Sequence, residues 1–240
     1  PQPGFHHWES FKGQGVYTGV TLNINGEHTS YEDTVYTSDL LTEHAVEWME
    51  QLESDQPFFV YLSHKAVHSQ FKQAARHAGM YAGVDYELPA TYSQTIDDSY
   101  KELLWPEWVK QQRHSWHGVD YMYHAKGAVG DLVIDYCETL MGVDESIGTV
   151  MAYLEARGIA DETVVIYMGD NGFSWGEHGL IDKRHFYEES AKVPLLVTCP
   201  ELFEGGETLH SLVQNIDIAP TVMAMAGLEK KPEMHGDSFL

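Results

Sequence analysis

Apolar positions recur at spacings of three and four from Val133 through Cys137, Leu140, Val143, Ile147, Val150 and Leu154. That spacing keeps them on one face of a helix, and Gly158 marks its end. A second stripe carries Leu41, Ala45, Trp48, Met49 and Leu52, with Ser38 as a candidate N-cap. A last helix is expected over 216–226, with Pro220 near its first turn. Between these lie apolar runs of strand length at 57–62, 164–168 and 193–198, and continuous runs of this kind suit strands buried on both faces. Within 16–29, Leu22-Asn-Ile-Asn25-Gly26 alternates and ends in a turn dipeptide, which predicts a hairpin. Helices alternating with buried strands predict an α/β fold whose mostly parallel sheet is covered by helices on both faces.

Two stretches escape this pattern. The first fifteen residues are rich in aromatics and glycine without periodicity. Residues 70–118 are rich in His, Tyr, Trp and acidic side chains and are broken by Pro89 and Pro106. An irregular stretch of that length inside a domain predicts a functional insertion or lid. His114, His117 and His124 are expected on the surface or lining that insertion.

Composition narrows the options. With 43% hydrophobic residues in 240, a sizeable core is possible. The longest apolar runs are strand-sized, so no membrane span is expected. The chain begins at Pro1 without a recognisable leader, which fits a mature form or a fragment. Fourteen basic against 37 acidic residues give a net charge of -23, which argues against nucleic acid as a partner. An anionic substrate then needs positive charge concentrated locally, and Lys183, Arg184, His185 and Lys192 provide it. Cys137 and Cys199 form no C-x-x-C pair, and Cys137 falls on the apolar stripe of a helix.

The segment 163–184 concentrates the chemistry. An apolar β-run ends in Asp170-Asn171; glycines 172, 176 and 179 follow, with His178 among them, and then Lys183. An Asx-Gly pair commonly makes a simple turn. At the carboxyl end of a buried strand, however, its two oxygen donors suit calcium, or less well magnesium, and not zinc. A lysine beside such a cation can hold an anionic group as a point charge. His64 and His68 form an H-x-x-x-H pair, but Lys65 stands where the helical zinc motif needs glutamate. A histidine in contact with substrate, acting as general acid, is the better reading of His68. Gly172-Phe-Ser174-Trp-Gly176 satisfies the G-x-S-x-G pattern, with Asp217 and His235 following in order. Ser174 lies too far beyond its strand to be an elbow nucleophile.

At these residues the chain resembles the type I sulfatases of the alkaline-phosphatase-like superfamily. Three blocks carry the likeness: Pro57-Phe-Phe-Val-Tyr-Leu-Ser-His-Lys-Ala-Val-His68, Gly169-Asp-Asn-Gly-Phe-Ser-Trp-Gly-Glu-His-Gly-Leu-Ile-Asp-Lys183 and Tyr187-Glu-Glu-Ser-Ala-Lys-Val-Pro-Leu-Leu-Val197. Gln214 to Thr221 and His235-Gly-Asp-Ser are similar as well. The resemblance implies that Asp170 and Asn171 are calcium ligands, that Lys183 grips the sulfate and that His68 protonates the departing alcohol. His178 is a further candidate for the substrate pocket. It also implies a formylglycine nucleophile made within a C-x-P-x-R motif, which neither Cys137 nor Cys199 begins. The family's opening pair of aspartates is absent too. Residues 1–240 are therefore expected to form a partial sulfatase catalytic domain, with the insertion at 70–118 matching least well. Truncation accounts for the missing motif. A phosphonate or phosphodiester hydrolase of the same superfamily, or a non-catalytic pseudosulfatase, are the alternatives. The partner expected is a sulfated small molecule or glycan, with Trp105, Trp108 and Trp116 as candidate sugar-stacking surfaces. Family habit places such an enzyme outside the cytoplasm: secreted, periplasmic or lysosomal.

Overall fold

A computed structural model describes residues 2–92, 101–115, 120–123 and 129–240. Strands β1 (Glu9–Phe11), β2 (Thr21–Ile24) and β3 (Glu27–Ser30) are followed by helices α1 (Thr37–Glu50), α2 (Glu107–Gln112), α3 (Asp120–Tyr123) and α4 (Val129–Ala156). Then come β4 (Val165–Met168), β5 (Ser174–Trp175), β6 (Ile181–Asp182), α5 (Glu188–Ala191), β7 (Leu195–Thr198) and α6 (Ile218–Met225).

The expected hairpin is β2–β3, with Ile24 opposite Glu27. Asn25 and Gly26 form its two-residue turn at φ 52° and 106°, the left-handed pair that matches strand twist. β1 adds a third strand from the stretch that showed no period. Val20, Leu22, Leu40 and Leu41 close the hairpin onto α1. α1 begins two residues earlier than its expected cap allows. Tyr36 is the N-cap, and Ser38 lies buried inside the first turn without capping it.

α4 is the spine of the chain, 28 residues and about 42 Å long. Near its start, Val129 and Val133 join Met122 and Ile181 in a core that takes in Phe71, Phe173 and Trp175. Farther along, α4 packs on α1, where Ser146 Oγ bridges the Thr42 hydroxyl at 2.6 Å and His64 Nε2 at 3.0 Å. One rigid helix thus ties the hairpin half to the β5–β6 half.

The α/β class holds, but the four ladders among the described residues, in three sheets, are all antiparallel. β4 pairs with β7 so that Met168 faces Leu195. A parallel return needs a crossover long enough to run back along the sheet. The helix between these strands, α5, has four residues and rises only about 6 Å, so the chain re-enters at the end where it left. The run 57–62 also departs from expectation, since it joins no ladder among the described residues. Leu62 packs against the β2–α1 cluster, whereas Phe59 (55%) and Tyr61 (72%) lie open to solvent. Its apolar character therefore signals an extended segment with one face covered here.

Part of the expected insertion is docked. Tyr86, Leu88 and Tyr92 pack on the Met122–Ile181 core, and Trp108 on α2 is exposed. Trp116, His117 and His124 lie outside the described residues. No helix among the described residues is long and apolar enough to cross a membrane.

Candidate active site

Three loops carry the candidate residues. The first holds His68 in a turn closed by its own N–H to Lys65 O at 3.0 Å. Two tyrosines from the segment before α1 fix that loop. Tyr17 OH donates to the His68 carbonyl, and Tyr36 OH donates to Lys72 O at 3.0 Å. Their rings stack at 6.2 Å, and burial raises both phenols, so both remain hydrogen-bond donors at any working pH. His68 Nδ1 lies 2.6 Å from Ser69 O. A carbonyl only accepts, so Nδ1 carries the hydrogen and Nε2 is the free nitrogen.

The second loop follows β4. Asp170 Oδ1 accepts from Asn171 N at 2.7 Å, and Asn171 Nδ2 donates to Gly172 O at 2.8 Å. Asn215 Nδ2 donates to Asp170 O at 3.0 Å, tying the turn to the segment before α6. Both Asx residues are exposed, and Asp170 Oδ2 and Asn171 Oδ1 take no hydrogen bond among the described residues. Gly172 N donates to Ser190 O at 2.9 Å, and a Cβ at Gly172 would lie 2.0 Å from Glu189 O. Only glycine lets this turn press against α5. Two adjacent uncommitted oxygens fit a hard divalent cation in kind. They do not complete a site, because no group of three or more metal-binding side chains occurs among the described residues.

The third loop leaves the β5–β6 hairpin at Lys183. Asp182 organises it from a buried position, accepting from Lys183 N at 2.6 Å and Arg184 N at 3.1 Å. It also takes Arg184 Nη2 at 2.6 Å, while Arg184 reaches on to Gln112 O and Ser115 Oγ. Ser190 Oγ closes the loop by donating to Lys183 O. The positive cluster expected here is thereby thinned. Arg184 is neutralised, His185 is buried and Lys192 is exposed, leaving the half-buried Lys183 ammonium without a partner among the described residues. Asp182→Ala would strand a partly buried guanidinium and two backbone N–H groups. We expect a loss of about 2 kcal/mol in urea unfolding, with Lys183 losing its fixed direction. Unchanged stability would remove Asp182 from this role.

The three loops share one electrostatic neighbourhood around His68, whose basicity lies below the usual imidazole range. Burial is the largest cause and the Ser69 carbonyl opposes it; Lys65 and Lys183 push further down, while Asp170 pulls up. Lys183 likewise depresses Lys65, after burial. His178 is placed differently. At φ 55° it stacks on Tyr187 at 3.8 Å, and its Nε2 lies 3.1 Å from Glu189 Oε2, so its imidazole is already committed.

Other candidates are structural. His64 is largely buried against Ser146, which settles it as a packing residue. Ser174 is fully buried (0%) inside the hairpin, where a nucleophile could not meet substrate. Cys199 is buried with its thiol on Asp161 O at 3.3 Å, and Cys137 packs with the Met122–Ile181 core. Sequence reasoning passed over Lys65 and Asp182, since a lone lysine and an aspartate before Lys-Arg look like solvated charges.

The family profile described as Sulfatase matches residues 4–228. The N-acetylglucosamine-6-O-sulfatase of Bacteroides thetaiotaomicron is 28% identical over 98% of this chain and 51% of its own length. A solved structure in complex with its substrate D-glucosamine-2-N,6-O-disulfate superposes with TM-score 0.80 at 27% identity, covering 99% of this chain and 58% of that one. A phosphonate monoester hydrolase from Silicibacter pomeroyi gives TM-score 0.69 at 22% identity over 84% of this chain and 40% of that one, a likeness of fold. The chain thus spans about half the length of the relatives it matches. Its alkaline-phosphatase-like α/β fold and a profile match over nearly its whole length place it in the sulfatase family.

Proposed function

We propose that the protein to which these residues belong hydrolyses sulfate monoesters of a carbohydrate, outside the cytoplasm. The observation that supports this reading is that Lys183 and Asp170, from two different loops, both act electrostatically on the His68 imidazole. Lys183 carries a half-buried positive charge, unpaired among the described residues and suited to neutralising sulfate oxygens. His68, with Nδ1–H held by Ser69 O, would as the imidazolium deliver its Nε2 proton to the departing alcohol. Asp170 and Asn171 contribute to a calcium site, and the ion when bound stabilises negative charge on the sulfate and nucleophile oxygens. A formylglycine from a part of the protein outside these 240 residues supplies the nucleophile, since Cys137 and Cys199 are both built into the core. His178 remains a candidate substrate contact that would have to release Glu189 to make one.

The relative bound to a sulfated glucosamine supports a glucosamine 6-sulfate as the first substrate to try. The full protein should release sulfate from N-acetylglucosamine 6-sulfate and turn over a phosphonate monoester far more slowly. The reverse preference would favour the phosphonate hydrolase reading, and no turnover of either would favour a pseudosulfatase. In calorimetric titration of the full protein, Asp170→Ala should weaken calcium binding by about tenfold or more. Unaltered calcium affinity would exclude Asp170 as a ligand.

A further inference from the structure

Lys65 has no role in the mechanism above, yet its placement is unusual. It is 7% exposed, and no carboxylate lies within ion-pair distance among the described residues. Its ammonium sits 3.2 Å from Ser69 O, 3.3 Å from His68 Nδ1 and 5.0 Å from the centre of the Tyr17 ring. A buried, unpaired ammonium is costly and is retained where it does something a neutral side chain cannot. The Ser69 carbonyl is the shared acceptor. It takes one hydrogen from Lys65 and one from His68 Nδ1, so the lysine holds in place the group that fixes the imidazole tautomer.

We propose that Lys65 is a positioning residue for His68: through Ser69 O it holds Nδ1–H inward, so that the imidazolium gives up its Nε2 proton and is left as the Nδ1–H tautomer. The proposal rests on His68 being the acid in the reading above. Lys65 is too enclosed to reach substrate itself, and two of its contacts are spent inside the loop. Its charge acts on the same imidazole, since an ammonium 3.3 Å from Nδ1 disfavours the imidazolium and makes His68 a stronger acid. The groups facing His68 are Lys65 and the Ser69 carbonyl on its own loop, Tyr17 beneath it, Lys183 from the β6–α5 loop and Asp170 from the β4 loop. Tyr121 from α3 reaches the same turn through the Ser69 hydroxyl.

The test is Lys65→Met in the full protein, with two readouts. The first is the imidazole nitrogen spectrum of His68. In the variant its pKa should rise, and its Nδ1–H tautomer should give way to a mixture. The second compares two sulfate esters. On a sugar sulfate, whose alcohol needs a proton to leave, kcat should fall about tenfold with KM little changed. On a nitrophenyl sulfate, whose phenolate leaves unaided, it should change less than twofold. The alkaline limb of the sugar-sulfate profile should move to higher pH. Should Lys65→Met fail to fold, Lys65→Gln keeps a donor toward Ser69 O and should still raise the His68 pKa. An unchanged His68 titration and tautomer would overturn the proposal, as would an equal loss on both esters. If the wild-type protein cleaves neither ester, the functional reading fails while the titration still decides the role of Lys65.

Discussion

Lys183→Ala should lower the proposed sulfate ester turnover of the full protein about 10²–10³-fold, the usual consequence of removing one preorganised group that stabilises developing negative charge. The size follows from where the ammonium sits. It is half-buried, beside His68 and Lys65, with no carboxylate of its own among the described residues. Its charge is therefore available to a ligand, whereas that of Arg184 is consumed by Asp182. Removing it leaves no orphaned partner, so the melting temperature should stay within a degree or two of wild type, as about 0.5 kcal/mol or less is typical of such sites. The His68 pKa should rise in the same variant because a neighbouring positive charge is gone. A variant with more than a third of wild-type kcat/KM would show that Lys183 does not touch the transition state.

Acidification from pH 6.5 to about 4 removes about 3 kcal/mol of stability through His64 alone. Burial lowers this imidazole to about 4, against the smaller opposing pull of Asp39. Nε2 is held by Ser146, and Nδ1 is buried with no hydrogen-bond partner among the described residues, so a second proton has nowhere favourable to go. The sign follows from linkage. The unfolded chain protonates His64 near its ordinary 6.5 and the folded chain only near 4, so stability falls as pH drops through 6.5 and levels off about a unit below 4. About a unit or more above 6.5 the residue contributes no slope. Urea unfolding at a series of pH values should show this component in wild type and lack it in His64→Gln. Equal slopes in the two proteins would contradict the assignment.

The sequence revealed most where local periodicity decides the outcome. The stripe from Val133 to Leu154 became α4 because seven apolar residues on one face need covering, and the Asn25-Gly26 pair became a turn because its backbone conformation suits a tight hairpin. Strand pairing was less legible. The run 57–62 looked like a buried strand, but pairing and burial depend on distant segments that periodicity does not report. Candidates for the site were legible where a motif names an oxygen donor or a cation, as at Asp170, Asn171 and Lys183. Lys65 and Asp182 drew no attention, since what sets each apart is burial, which a charged residue's neighbours in sequence do not report.

The central claim is that the loops carrying His68, Asp170-Asn171 and Lys183 close on one anion. A crystal structure of the full protein grown with calcium and soaked with glucosamine 6-sulfate tests it most directly. The account predicts a sulfate group within hydrogen-bond distance of both Lys183 Nζ and His68 Nε2, with a cation on the oxygens of Asp170 and Asn171. A sulfate bound elsewhere, with these side chains turned to different faces of the molecule, would contradict it.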